Sequence, residues 1–324
     1  MDSFGRVVDY LRISVTDRCN ERCTYCMPEG YKGWEKREDH LSADEIVRVV
    51  RVAASLGFRK IRLTGGEPLV RRDLVEIVQT ISQIDGIEAI GLSTNGTKLA
   101  ALAQPLRSAG ARTVNVSLDA LDSALYRKIT GGDVTAVLAG IRAALAAGFE
   151  RVKLNCVLMR GVNEGELWPL TQFAAEHNLP LRLIELMPLT RTDVLNDSNF
   201  TPVGEAMKLL NQHDELIPVP DERIGWGPAK YYRFKHSGAL VGFIGALTNL
   251  HFCETCNKMR LTADGKIRPC LGDQGEFDLR SALREAKTEE AVREAFLIAL
   301  QRKPLEHQFR GNYTPCRPMT AIGG

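Results

Sequence analysis

The sequence predicts an α/β fold, an incomplete (β/α)6 TIM-type barrel followed by a C-terminal region across the barrel opening. Three observations predict it. Over the first two-thirds of the 324 residues, six short runs rich in Val, Ile and Leu alternate with segments of helical periodicity. The polar and chemistry-bearing residues cluster at the ends of one run after another. Finally, no GxGxxG and no GxxxxGK[ST] marks the nucleotide loop of an open doubly wound sheet. Residues from many strand ends meet only where those ends share one mouth, as in a barrel. Six strands close only partly and leave a wide lateral opening.

The elements follow in order. Strands are predicted at 11–15, 61–64, 89–93, 114–118, 152–159 and 181–186. Between them, residues 42–56 read as a helix with Ile46, Val49, Val50 and Ala53 on one face. Ser42 with Glu45 three residues on forms a capping box. Residues 73–84 and 135–147 have the same periodicity, and Gly57, Gly110 and Gly148 fall where helices should stop. Such alternation implies a parallel sheet with right-handed crossovers. After Met187 the pattern changes to a loop-rich stretch with prolines at 188, 202, 218, 220 and 228. A helix at 203–211, strands at 231–235 and 239–247, and helices near 279–286 and 289–301 are predicted there. This divides the chain into a barrel, 1–190, and a C-terminal region, 191–324.

Composition excludes several classes. Hydrophobic residues at 44% and charged residues at 25% are close to the globular average, which argues against disorder and membrane classes. No apolar run is long enough to span a bilayer, and the first ten residues lack a signal peptide's basic start and apolar middle. The expected location is cytoplasmic. A net charge of +2 does not call for nucleic acid or a membrane surface, so any basic site is local. In a reducing compartment the eight cysteines bind metal more readily than they pair. Cys156, alone in an apolar stretch, reads as core packing, and Cys316 has no assigned role.

The other six cysteines form two triads. Cys19, Cys23 and Cys26, spaced x3 and x2, place three thiolates on one loop after the first strand. Structural zinc sites want four ligands, whereas three suit a cubane cluster with one iron left open for a substrate or cofactor. Cys253, Cys256 and Cys270 repeat the arrangement. A zinc knuckle completed by another residue is the alternative there, with His251 awkwardly close to Cys253. Arg12 and Arg62 lie inside apolar strands, where an unpaired charge is costly.

The first triad, with Tyr25 before its last cysteine, and Gly65-Gly66-Glu67-Pro68 after the second strand resemble the radical S-adenosylmethionine (SAM) superfamily. That likeness implies a [4Fe–4S] cluster whose open iron chelates SAM, and reductive cleavage to a 5′-deoxyadenosyl radical. Together with the second triad, its trailing Asn257-Lys258-Met259-Arg260 and the terminal Ile322-Gly323-Gly324, nearly the whole chain resembles the GTP 3′,8-cyclase family of molybdenum cofactor biosynthesis. Leu11–Asn20 (written out, LRISVTDRCN), Ser93-Thr94-Asn95-Gly96, Val116-Ser117-Leu118-Asp119 and Glu185-Leu186-Met187-Pro188 match it as well.

The resemblance implies two [4Fe–4S] clusters, with SAM touched by Tyr25, Gly66, Ser117 and Met187. GTP would bind the second cluster through guanine, with contacts from Arg12, Lys60, Arg62, Ser93, Lys153, Lys258 and Arg260. Hydrogen would leave ribose C3′ and the carbon radical would attack guanine C8, giving 3′,8-cyclo-7,8-dihydro-GTP. Gly323 and Gly324 would belong to the active site. Lys258 stands where many members carry Arg, keeping the charge but not the planar fork. An electron donor and a downstream cyclic pyranopterin monophosphate synthase are the implied partners, with the enzyme a monomer or homodimer. A radical SAM peptide maturase and an iron–sulfur carrier are the rival readings. The first would carry more C-terminal cysteines and no diglycine end, and the second has no use for the Gly-Gly-Glu-Pro stretch or for basic strand residues.

Overall fold

The computed structural model describes residues 1–27, 31, 37–190, 199–219, 224–311 and 313–323. Gly324 and Pro28 lie outside the described residues. Six parallel strands form the centre: β1 (Tyr10–Ser14), β2 (Lys60–Thr64), β3 (Ala89–Thr94), β4 (Ala111–Ser117), β5 (Arg151–Leu158) and β6 (Leu181–Glu185). Each pairs with the next in sequence order, as (β/α) repeats require. Helices α1 (Ala43–Ser55), α2 (Leu74–Ser82), α3 (Leu99–Ser108), α4 (Ser123–Thr130), α5 (Val134–Ala146) and α6 (Leu167–Glu176) fill the crossovers. The expected capping box is present: Ser42 Oγ accepts from Glu45 N, and the Glu45 carboxylate accepts from Ser42 N. Gly57, Gly110 and Gly148 end helices with positive φ, as expected.

The strands alternate strictly. Leu11, Ile13, Ile61, Leu63, Ile90, Leu92, Val114 and Val116 pack into the core with the helices. Their neighbours Arg12, Arg62, Ser93, Asn115 and Ser117 face a cavity instead. Cys156 is fully buried in the same core, as expected.

The C-terminal region lengthens the sheet on both flanks. After α7 (Val203–Asn211) come β7 (Leu216–Pro218), β8 (Lys230–Phe234) and β9 (Leu240–Ile244), and β9 pairs parallel with β6. Then β10 (Lys258–Leu261) pairs parallel with β1, followed by the antiparallel strands β11 (Lys266–Arg268) and β12 (Phe277–Asp278). Among the described residues the result is one twelve-stranded sheet. Helix α8 (Glu289–Gln301) and a last turn, α9 (Met319–Ile322), complete the chain. The helix expected near 279–286 is a single π turn, Ala282–Ala286, stopped by Lys287 at φ 57°. Among the described residues no single helix is long and apolar enough to cross a membrane.

Candidate functional site

One cavity of about 1040 Å³ runs through the partial barrel and is lined by both cysteine triads. Strand direction decides where each triad sits. Cys19, Cys23 and Cys26 follow β1, at the C-terminal ends of the parallel strands. Cys253 and Cys256 precede β10, which runs parallel to β1, so they lie at the opposite end. Cys270 follows β11, which runs back antiparallel and returns to that same end. Roughly 13 Å of strand separates the two levels, at about 3.3 Å per residue.

The first triad is anchored to its surroundings by polar contacts. Backbone bonds from Arg22 N to Thr130 O (2.7 Å) and Thr24 N to Ile129 O (2.9 Å) dock the loop on α4. Tyr25 Oη donates to Asp119 Oδ2 at 2.7 Å, and Asp119 Oδ1 accepts from Val157 N at 2.8 Å. Tyr126 Oη donates to Glu21 at 2.9 Å. Glu67 accepts from Leu69 N, Thr94 Oγ1 and Asn95 N at 2.9, 2.7 and 2.6 Å, which ties the Gly-Gly-Glu-Pro turn to the end of β3. Gly66 N donates to Thr16 O at 2.7 Å. A Cβ on Gly66 would lie 2.4 Å from the carbonyl oxygens of both Asp17 and Arg18, so only glycine fits. Ser117 and Met187 line the same end.

Burial pushes the Cys19 and Cys26 thiols up to about 12 and raises Cys23 well above its ordinary value; nearby Glu67 and Glu21 add to the effect at Cys19, against the N–H of Glu21. Iron must therefore displace protons to bind here. At the other end burial pushes Cys270 up to about 11 and raises Cys253. Burial would raise Cys256 as well, yet the ammonium groups of Lys303 and Lys258 outweigh it and leave that thiol lowered. Among the described residues no three His, Cys, Asp or Glu side chains converge on a single-ion site. Each thiolate of a cubane ligates a different iron, so a cluster's ligands stand further apart than those of one ion. Three partly exposed thiols facing a cavity, with the close-fitting Gly66 beside the first set, fit the cluster reading. His251 is exposed and pairs with Glu254 at 2.6 Å.

Between the triads lies a band of cations. Register places Arg260, Arg12 and Arg62 side by side on β10, β1 and β2, with Lys258, Tyr10 and Lys60 aligned two residues earlier. Arg62 donates to Tyr10 Oη, to Leu92 O at 2.6 Å and to Thr113 Oγ1 at 3.3 Å. Lys60 pairs with Asp9 at 2.6 Å, and Lys258 donates to Asn257 Oδ1 at 2.9 Å. On the far side Lys153 donates to Ile224 O at 2.7 Å. Burial, with repulsion from neighbouring cations, lowers Arg12 to about 9 and Lys153 to about 6. Burial lowers Arg260 to about 10, with Cys270 and Cys256 opposing the shift. Cations depressed in this way are stabilised by an anion among them. Gly323 reaches the band from the last turn, where its carbonyl accepts from Arg260 Nη1.

The structure thus brings every described candidate residue to this cavity or its wall. Sequence reasoning missed Arg182, which lines it from β6, level with Asn155 and Gly242. Its Nε and Nη2 have no hydrogen-bond partner among the described residues. The signal was available, since Arg182 breaks an apolar strand just as Arg12 and Arg62 do. Trp226, with Lys60 5.0 Å from its ring, and Tyr10 were also missed, because aromatic residues read as packing.

Comparison with known proteins agrees with this geometry. The Radical SAM superfamily matches residues 13–174, and Molybdenum Cofactor Synthesis C matches 179–309. A GTP 3′,8-cyclase of Moorella thermoacetica is 45% identical over 324 residues, covering 100% of this chain and 99% of its own. One from Pelotomaculum thermopropionicum is 43% identical with the same coverage. The crystal structure of Streptococcus suis SuiB aligns with TM-score 0.62 at 17% identity, covering 94% of this chain and 68% of its own, a likeness of fold alone. With identity of this level sustained from end to end, the chain belongs to the GTP 3′,8-cyclase family of radical SAM enzymes.

Proposed function

We propose that this chain converts GTP to (8S)-3′,8-cyclo-7,8-dihydroguanosine 5′-triphosphate, an early step of molybdenum cofactor biosynthesis. The observation that carries this reading is a single cavity with a thiol triad at each end and a band of cations between them. A triphosphate is the kind of ligand that such a band stabilises.

In this reading Cys19, Cys23 and Cys26 hold one [4Fe–4S] cluster, and Cys253, Cys256 and Cys270 hold the second. Bound to the first, SAM supplies on one-electron reduction the radical chemistry that removes hydrogen from C3′. Tyr25, Gly66, Ser117 and Met187 position SAM: Tyr25 is fixed through Asp119, and Gly66 lets its turn pack directly on the Asp17 and Arg18 carbonyls of the cysteine loop. Arg12, Lys60, Arg62, Ser93, Lys153, Lys258 and Arg260 hold GTP, and Arg182 joins them with its two unpartnered nitrogens. Guanine turns toward the second triad, which leaves the ribose facing the SAM end. Gly323, held by its bond to Arg260, brings the end of the chain to the reacting centre. The segment 1–190 thereby supplies the radical-generating barrel, and 191–324 supplies much of the substrate's seat. An external electron donor and a cyclic pyranopterin monophosphate synthase that takes the product complete the scheme, in the cytoplasm.

The test is anaerobic. The protein is reconstituted with iron and sulfide and given reductant, SAM and GTP, and 5′-deoxyadenosine is quantified beside altered guanosine nucleotides. Both products appearing together, and both vanishing in Cys19→Ser, supports the cyclase. SAM cleavage with GTP recovered intact overturns the substrate.

A further inference from the structure

Lys303, just past α8, is 2% exposed, an unusual place for an ammonium group. Its Nζ donates to Lys258 O at 2.8 Å and Pro269 O at 2.7 Å, and approaches Cys256 Sγ at 3.5 Å. Those three acceptors match the three donors of an ammonium. None of them is a carboxylate, so the negative partner available in this set is the sulfur. The two carbonyls flank the triad, one two residues past Cys256 and the other one residue before Cys270. Lys303 therefore ties together both segments that carry the second triad and directs its charge at one of the sulfurs.

The two ends of the cavity differ in the charge around their sulfurs. Glu21, Glu67 and Asp119 act on the first triad, with Arg22 opposing them at Cys19. Arg6, Lys258 and Lys303 act on the second. Reducing a cluster adds negative charge, and a desolvated cation nearby favours the reduced form. Hydrogen bonds to ligand sulfurs act in the same direction.

We propose that Lys303 is a positioning residue of the second cluster, donating to Cys256 Sγ and holding that cluster at a higher reduction potential than a neutral neighbour would. This rests on the reading of Cys253, Cys256 and Cys270 as cluster ligands. The second cluster is thereby tuned by a residue outside the seats proposed for SAM and GTP.

The experiment uses the full chain with Cys19, Cys23 and Cys26 all changed to Ser, so that any remaining cluster is the second. Iron is counted, and the midpoint potential is measured by redox titration monitored by electron paramagnetic resonance. Failure of this parent to bind about four irons would sink the cluster reading itself. With iron bound, Lys303→Met is expected to keep it and to titrate at a lower potential, while Lys303→Arg stays near the parent. An unchanged potential in Lys303→Met overturns the proposal. Should Lys303→Met shed its iron, Lys303→Arg is compared with Lys303→Gln: a lower potential in Gln supports the proposal, and equal potentials overturn it. Loss of iron from all three variants alike also overturns it, leaving Lys303 a purely structural brace.

Discussion

Arg260 Nη1 donates to the carbonyl of Gly323, which ties the last turn of the chain to the strand that starts just past the second cysteine pair. Gly323 has φ 75°, and a Cβ there would lie 2.6 Å from Thr64 Cγ2 and 3.2 Å from Ser14 Cβ. Gly323→Ala therefore combines about 1–2 kcal/mol of backbone cost with a clash. Iron content is expected to be unchanged, with cyclised product per 5′-deoxyadenosine falling at least about tenfold, as displaced groups do. Chromatographic quantification of both products checks this, and an unchanged ratio would exclude the tail from the reaction.

The obstruction at Gly66 is backbone, the carbonyls of Asp17 and Arg18, so side-chain motion cannot relieve it. Gly66→Ala must shift the turn or the cysteine loop. The expected result is SAM binding weakened at least about tenfold, equivalent to about 1.4 kcal/mol, in protein that still folds. Equilibrium dialysis of SAM against the reconstituted variant measures it.

Lys153 makes a signed pH prediction. Its pKa lies near 6 in the folded chain against 10.5 for the free group, chiefly through burial and then through Arg182 and Arg62. At pH 7.5 it is mostly neutral, and a triphosphate beside it restores the proton. Calorimetry in buffers of different ionisation enthalpy should show GTP binding taking up close to one proton at pH 7.5. Uptake should fade below about pH 5, where Lys153 is already charged, and largely disappear in Lys153→Met. Between about pH 6 and 10.5 the unfolded chain holds the extra proton, so this residue's contribution to stability rises with pH across that window.

Arg182→Met removes two donors that have no partner among the described residues. A hydrogen bond to a charged group contributes about 1.5–3 kcal/mol, so GTP affinity should fall roughly 10- to 100-fold. Iron content and SAM binding should stay as in the parent. A titration that finds GTP affinity intact would remove Arg182 from the substrate site.

Much of this was legible from local pattern. The strand predicted at 61–64 is Lys60–Thr64, and the helix predicted at 203–211 is Val203–Asn211. The capping box formed as read, because its bonds join residues only three apart. The strand predicted at 114–118 starts earlier, at Ala111, because polar Arg112 and Thr113 hide the start of an apolar run. Lys303 stayed invisible because a lysine after an amphipathic helix reads as solvated surface.

Identity and spacing of residues decided the chemistry: two sets of three thiols, a Gly-Gly-Glu-Pro turn, and arginines where a strand should be apolar. Which of these meet was decided by pairings between segments far apart in the chain. Setting β10 against β1 aligns Arg260 with Arg12 across 248 residues and turns the second triad to the opposite end from the first. Hydrogen bonds between strands depend on register, and spacing along one strand carries no information about its partner. The two triads are alike in number when read along the chain. Their difference in charge is only partly local, in Glu21 and Lys258; Glu67 and Asp119 reach the first triad, and Arg6 and Lys303 the second, only through the tertiary structure.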